Sequence, residues 1–251
     1  MRKILKIGAE VESSNTVGYV KLSTVEGLTL IGVQFQTVGG RGANLSATMV
    51  PSGLVGYDWD SFEGGDQMYC WDPAQQGYAI IYTYAGDTVP EWVPATMAGK
   101  WMDENMEAVS DPIALGEGVW IESTAQSANI IVLGEVNTNA VQKALGYGLN
   151  LVANPYPKAL DVNSATYTGL VGFDWDSFEG GDQMYCWDPA QQGYAIIYTY
   201  AGDSVPEWVP ATMAGKWMDE NMEAVSDPIP VGGAVWIEST TATEASVRFT
   251  Y

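Results

Sequence analysis

A stretch of 72 residues occurs twice in this chain: Gly53 to Thr124 returns as Gly169 to Thr240 at a constant offset of 116. Six positions differ (Tyr57/Phe173, Thr88/Ser204, Ala114/Pro230, Leu115/Val231, Glu117/Gly233 and Gly118/Ala234), which leaves 66 identities. Solenoid units run to about 20–50 residues and cannot bury a core singly. A period of 116 therefore argues for two tandem domains of ordinary size, each with its own core. The expected division is 1–134 and 135–251, with the closing strand of the first leading almost directly into the second, a stiff arrangement.

The fold class follows from the local pattern. Asp66 to Asp72 (DQMYCWD) alternates, Pro73 to Gly77 (PAQQG) reads as a turn, and Tyr78 to Tyr84 (YAIIYTY) continues as a second strand, which together make a β-hairpin. Asn15 to Leu22 and Gly27 to Gln36 read as strands before the first copy, and Gly118 to Glu122 as a strand that closes it. Pro90 and Pro94 flank Trp92 and exclude a helix interior there. At most one short helical turn is expected in Met97 to Asp111. The reading is all-β, two tandem β-sandwich-like domains.

The first residues carry a further strand. Ile4-Leu5-Lys6-Ile7-Gly8 lies over Ile130-Ile131-Val132-Leu133-Gly134, so residues 2–8 are a third version of a strand that two domains need only twice. Either it pairs at an edge of domain one, or it is donated to a neighbouring copy, since an unpaired sheet edge accepts an added strand. Ile4, Leu5 and Ile7 would then be interface residues.

Charge narrows the partners. Ten basic against 31 acidic residues give −21, which repels nucleic acid and anionic lipid. No run of 18 apolar residues offers a membrane-spanning helix. The basic opening is followed by no signal-type apolar core, so a cytosolic chain or one whose signal is absent are both consistent with it. With no His and two Cys, zinc sites of the usual ligand types and a disulfide framework are excluded. Cys70 and Cys186 occupy equivalent positions and are expected to be buried thiols.

Gly148 to Pro157 (GLNLVANPYP), Gly181-Asp-Gln183, Trp187-Asp188 and Val235-Trp-Ile237 resemble the motif series of a family of β-rich tandem modules in secreted and cell-surface bacterial proteins. Domain one matches at Gly65-Asp-Gln67, Trp71-Asp72 and Val119-Trp-Ile121 but lacks the Asn-Pro-Tyr-Pro element. The resemblance implies an extracellular or cell-surface, non-enzymatic β-protein and brings no catalytic residues with it.

Two constellations could carry chemistry. Asp58, Asp60, Glu63 and Asp66, repeated as Asp174, Asp176, Glu179 and Asp182, place carboxylates in a glycine-containing loop of the kind that suits Ca²⁺. The competing reading is a turn in which the side chains bond their own backbone. All ten Trp lie in the repeat. Trp92 and Trp101, with Trp208 and Trp217, fall in expected loops, where a ring can pack inward, anchor an interface or stack on a sugar. No Ser, Cys or His context supports acyl transfer, and paired carboxylates alone leave a glycosidase as the weakest option. The expected function is a structural, self-assembling extracellular or cell-surface subunit with head-to-tail packing into filaments or layers. The alternative is a carbohydrate- or ligand-binding module with one aromatic and acidic site per domain.

Overall fold

A computed structural model describes residues 16–36, 43–44, 49–109, 112–241 and 245–251. The N-terminal segment with Ile4, Leu5 and Ile7 lies outside them.

The chain is all-β, with curled antiparallel sheets. In the first half the strands run in the order Val17–Gly32, Gly118–Val136, Gln67–Asp72, Gly77–Tyr84, Trp101–Met102. The two strands expected near residues 15–36 form one long strand to Gly32 and a short Phe35–Gln36. It pairs with Gly118–Val136 from Val17↔Glu135 to Gly32↔Gly118, with a register shift between Val25 and Gly27. A shift of this kind bends a ribbon from one packed layer into the next.

In the second half the same ribbon is split. Val141–Leu145 pairs with Ala245–Phe249, which also pairs with Thr166–Thr168. Gly148–Ala153 pairs with Ala234–Ser239, followed by Gln183–Asp188, Gly193–Tyr200 and Trp217–Met218. The only helical elements among the described residues are three-residue 3-10 turns, two of them at the Pro-flanked Ala95–Met97 and Ala211–Met213.

Two core clusters follow the chain. One draws on Ile31, Phe35, Met49, Met68, Tyr84, Trp101, Ile121 and Val132. The other draws on Val152, Tyr156, Met184, Tyr200, Trp217, Ile237 and Phe249. Tyr156 of the Asn-Pro-Tyr-Pro element stands where the first half has Phe35, and both are buried. Its hydroxyl meets the carbonyls of Asn139 at 2.8 Å and Phe249 at 3.1 Å. The Asn154 side-chain amide donates to the Lys158 carbonyl at 2.6 Å, so this element satisfies the backbone of its own buried bend.

The closing strand of the first half extends to Val136, beyond the boundary expected at 134. The link to the next strand is short and ordered by Asn137, whose side chain bonds Asn139 N and O.

Candidate functional site

The acidic loops are built as turns. Asp58 Oδ1 accepts from Asp60 N at 3.0 Å and Ser61 N at 3.3 Å, and these donors hold its carboxyl below the usual range. Asp58 and Glu63 meet as an antiparallel bridge, as do Asp174 and Glu179.

Asp66 points the other way. It is 1% exposed and its carboxylate accepts from Val55 N (2.9 Å), Ser123 Oγ (2.7 Å), Thr124 N (2.8 Å) and Thr124 Oγ1 (2.9 Å). Asp182 repeats this with Val171 N, Thr240 N and Thr240 Oγ1. These buried carboxylates lace the 53–66 loop to Ser123 and Thr124 within Gly118–Val136, and its copy to Thr240 just past Ala234–Ser239. Of the expected sets Asp58, Asp60, Glu63 and Asp66, and Asp174, Asp176, Glu179 and Asp182, one member each, Asp66 and Asp182, is turned inward with its lone pairs engaged. Among the described residues no group of three or more His, Cys, Asp or Glu side chains is placed to hold a metal ion.

The tryptophans divide. Trp101 and Trp217 are fully buried and pack against Tyr84 and Tyr200 with centroids 5.6 and 5.4 Å apart. The expectation that they are interface residues is corrected: the short strands they start pair with Gly77–Tyr84 and Gly193–Tyr200, which carries both rings into the cores. Trp92 and Trp208 are each 60% exposed. Trp92 meets Trp59 edge-on at 5.9 Å and Phe62 at 6.0 Å, and Trp208 meets Trp175 and Phe178 likewise. Phe62, Phe178, Met106 and Met222 are also exposed, all on left-handed backbone with φ of 59° or 61°. Each half thus displays a tip of one Trp, one Phe and one Met.

The remaining Trp pairs join the halves. Trp71 stands edge-on to Trp236, and Trp187 to Trp120, both at 4.8 Å. Trp71 Nε1 donates to Leu149 O at 3.0 Å and Trp187 Nε1 to Leu28 O at 3.1 Å. Gln76 spans Leu149, donating to its O at 3.0 Å and accepting from its N at 2.6 Å; Gln192 does the same at Leu28, at 2.9 and 2.6 Å. Gly27 (φ +94°) and Gly148 (φ +87°) sit beneath these amides, and a Cβ at either would collide with the Gln above it. Each of these contacts is matched by its counterpart from the other half, so the halves face each other reciprocally here, as in an isologous dimer.

Sequence differences between the copies gather at its ends. Ala114, Leu115, Glu117 and Gly118 line a cleft of about 510 Å³ with Lys143 and Leu151. Their counterparts Pro230, Val231, Gly233 and Ala234 line one of about 570 Å³ with Leu22 and Leu30. Each set faces the divergent opening strand of the other half, which is why these positions differ while their surroundings do not. Burial pushes the Lys143 ammonium down, with the Glu117 charge opposing.

Both sheets end on an unfinished edge. Gly77–Tyr84 pairs with Gln67–Asp72 on one side but with Trp101–Met102 only at Thr83 and Tyr84 on the other. Gly193–Tyr200 repeats this, paired outward only at Thr199 and Tyr200. Among the described residues no strand covers the rest of either edge, which exposes Tyr78, Ile81, Tyr194, Ile196 and Ile197. The segment GYAIIYTY has no charge and no Pro, the features that ordinarily blunt an edge.

Cys70 and Cys186 are both half-buried thiols, unjoined by a disulfide, and burial pushes Cys186 up to about 11. Sequence reasoning missed the edge isoleucines, the Phe and Met tips and the bridging glutamines. No protein-family model, curated protein or solved structure matches the chain.

Proposed function

We propose that this chain is a non-enzymatic structural protein of the cell surface or extracellular space, whose copies join along the unpaired edges of Gly77–Tyr84 and Gly193–Tyr200. The observation that carries this reading is the edge itself: uncharged, apolar, uncovered among the described residues and present at the same place in both halves. Segments of high β-propensity without charge or Pro pair readily with their own kind. A chain with one such edge forms a closed pair. A chain with two extends, because each copy can meet a neighbour on either side. Reciprocal contacts at the seam make the two edges near-equivalent, so extension needs no strict head-to-tail order.

Sedimentation velocity across a concentration series tests this. The wild-type chain is expected to form species beyond a dimer, and Ile81→Lys with Ile197→Lys to return it to monomer. Assembly unchanged by the two lysines would remove the edge-strand basis of the proposal.

A glycan-binding role draws on Trp92 and Trp208, exposed beside carboxylates. Binding on a glycan array that is abolished by Trp92→Ala and Trp208→Ala would favour it over assembly.

A further inference from the structure

The exposed tips have a chemistry of their own. In the second half Phe178, Trp208 and Met222 are 55%, 60% and 43% exposed. Phe and Met there occupy left-handed backbone, a conformation that a Gly or Asn adopts with less strain. Large apolar side chains held outward at such positions mark a surface built to meet something. Trp208 and Met222 border a shallow notch of about 360 Å³, lined also by Trp175, Val209, Pro210 and Met213, and Phe178 packs on Trp208 beside it.

Glu223 lines the notch, and Asp174, Asp176, Glu179, Glu207 and Glu220 are exposed on the loops that carry Phe178, Trp208 and Met222. Backbone and side-chain donors hold Asp174 below the usual range, so its charge persists into mild acid. The first half repeats the arrangement with Phe62, Trp92 and Met106 amid Asp58, Asp60, Glu63, Glu91, Glu104 and Glu107. An apolar centre with an anionic rim is complementary to a segment that interleaves cations with aliphatic side chains.

One stretch of this chain has that composition. Arg2, Lys3 and Lys6 are three of its ten basic residues, and Ile4, Leu5 and Ile7 alternate among them. On a chain of net charge −21, most approaches of one copy to another are repulsive, and a cationic segment meeting an acidic ring is an attractive one. We propose that each aromatic tip is a docking point for residues 1–8 of a second copy, with Ile4, Leu5 or Ile7 in the notch and Arg2, Lys3 and Lys6 against the rim. This deepens the assembly reading and rests on it for its biological setting, but the contact is separate from the strand edges. Each chain has one donor segment and two acceptors, so docking links copies into a network.

The test uses a fluorescently labelled peptide of residues 1–8, titrated into full-length protein whose own segment is reversed in charge (Arg2→Glu, Lys3→Glu, Lys6→Glu). Anisotropy is expected to show saturable binding that weakens at least about tenfold when Trp92→Ala and Trp208→Ala are added. Raising the salt from about 50 to about 500 mM should weaken it further. Both rings are mostly exposed, so their removal should leave the fold intact, which circular dichroism checks. Ile81→Lys with Ile197→Lys should leave peptide binding unchanged; loss there, with retention in the Trp variants, would overturn the proposal and place the segment on the strand edge. No saturable binding, or tip-dependent binding of neutral oligosaccharides in place of the peptide, would also overturn it. Neither result would touch assembly through the edges.

Discussion

Replacing Asp66 by Asn changes one atom and reverses the polarity of half a carboxylate that is enclosed by donors. Asp66 Oδ2 accepts from Val55 N and Ser123 Oγ, and Oδ1 from Thr124 N and Oγ1. An amide can keep one oxygen on the Thr124 pair, but its NH₂ then faces the Val55 N–H, which loses its acceptor. Leaving a buried donor unpaired costs about 1–3 kcal/mol, and bonds to a charged acceptor are worth about 1.5–3 kcal/mol against about 1 for neutral ones. Together these give roughly 3–4 kcal/mol for Asp66→Asn.

For a chain of this size each kcal/mol moves Tm by about 2–4 °C, so a fall of roughly 6–16 °C is expected by calorimetry. Asp182 has three of these donors; Ser239 Oγ, the counterpart of Ser123 Oγ, has no partner. Asp182→Asn should therefore cost less, by about one hydrogen bond, or ~1 kcal/mol. Both losses should be the same with Ca²⁺ and with chelator. A change within about 0.5 kcal/mol of wild type, or a loss that Ca²⁺ restores, would refute the reasoning.

Other outcomes follow from the same geometry. Trp71→Phe and Trp187→Phe each remove one seam hydrogen bond while keeping most of the ring, and each should destabilise by about 1 kcal/mol in urea denaturation; because the contacts are reciprocal, the two costs should agree. Gly27→Ala and Gly148→Ala force a side chain into both a left-handed backbone and the Gln amide above it, and should cost more, about 1–3 kcal/mol. Burial, and next the hydrogen bonds to Glu122 and Glu238, push Tyr69 and Tyr185 up to about 12. Their folded pKa lies above the unfolded value, so their contribution to stability is full below about pH 10 and is lost as the pH rises towards 12; alkaline denaturation followed by tyrosinate absorbance should begin in that window. Cys186 should react slowly with iodoacetamide at pH 8 and quickly once urea unfolds the chain.

What was legible in the sequence was what depends on neighbours along the chain. The hairpin of Gln67–Asp72 and Gly77–Tyr84 shows in its alternation and turn, and the buried closing strand in Val119-Trp-Ile121. Trp101 was not legible, because a two-residue strand leaves no period to read; pairing at Thr83 and Tyr84 decided its burial. Asp66 looked like its fellow carboxylates because spacing does not say which way a side chain turns, and its donors at Ser123 and Thr124 come from the far end of the repeat. The seam joins Leu28 to Gln192 and Gln76 to Leu149, separations that no local pattern encodes. Its one visible trace was the clustering of differences at Ala114 to Gly118, which the structure explains as packing against the divergent opening strand of the other half. The left-handed Phe62 was hidden because Gly64 and Gly65 stand nearby as the obvious carriers of such backbone.

If copies meet at the strand edges, amide hydrogen exchange of residues 193–198 and 77–82 reads the contact directly. Across a concentration series, those of these amides that point away from Gln67–Asp72 and Gln183–Asp188 are expected to start with little protection and to gain it as assembly proceeds, while the inward-bonded ones and the buried strand Ala234–Ser239 stay protected throughout. Assembly that leaves exchange at both edges unchanged would contradict that contact.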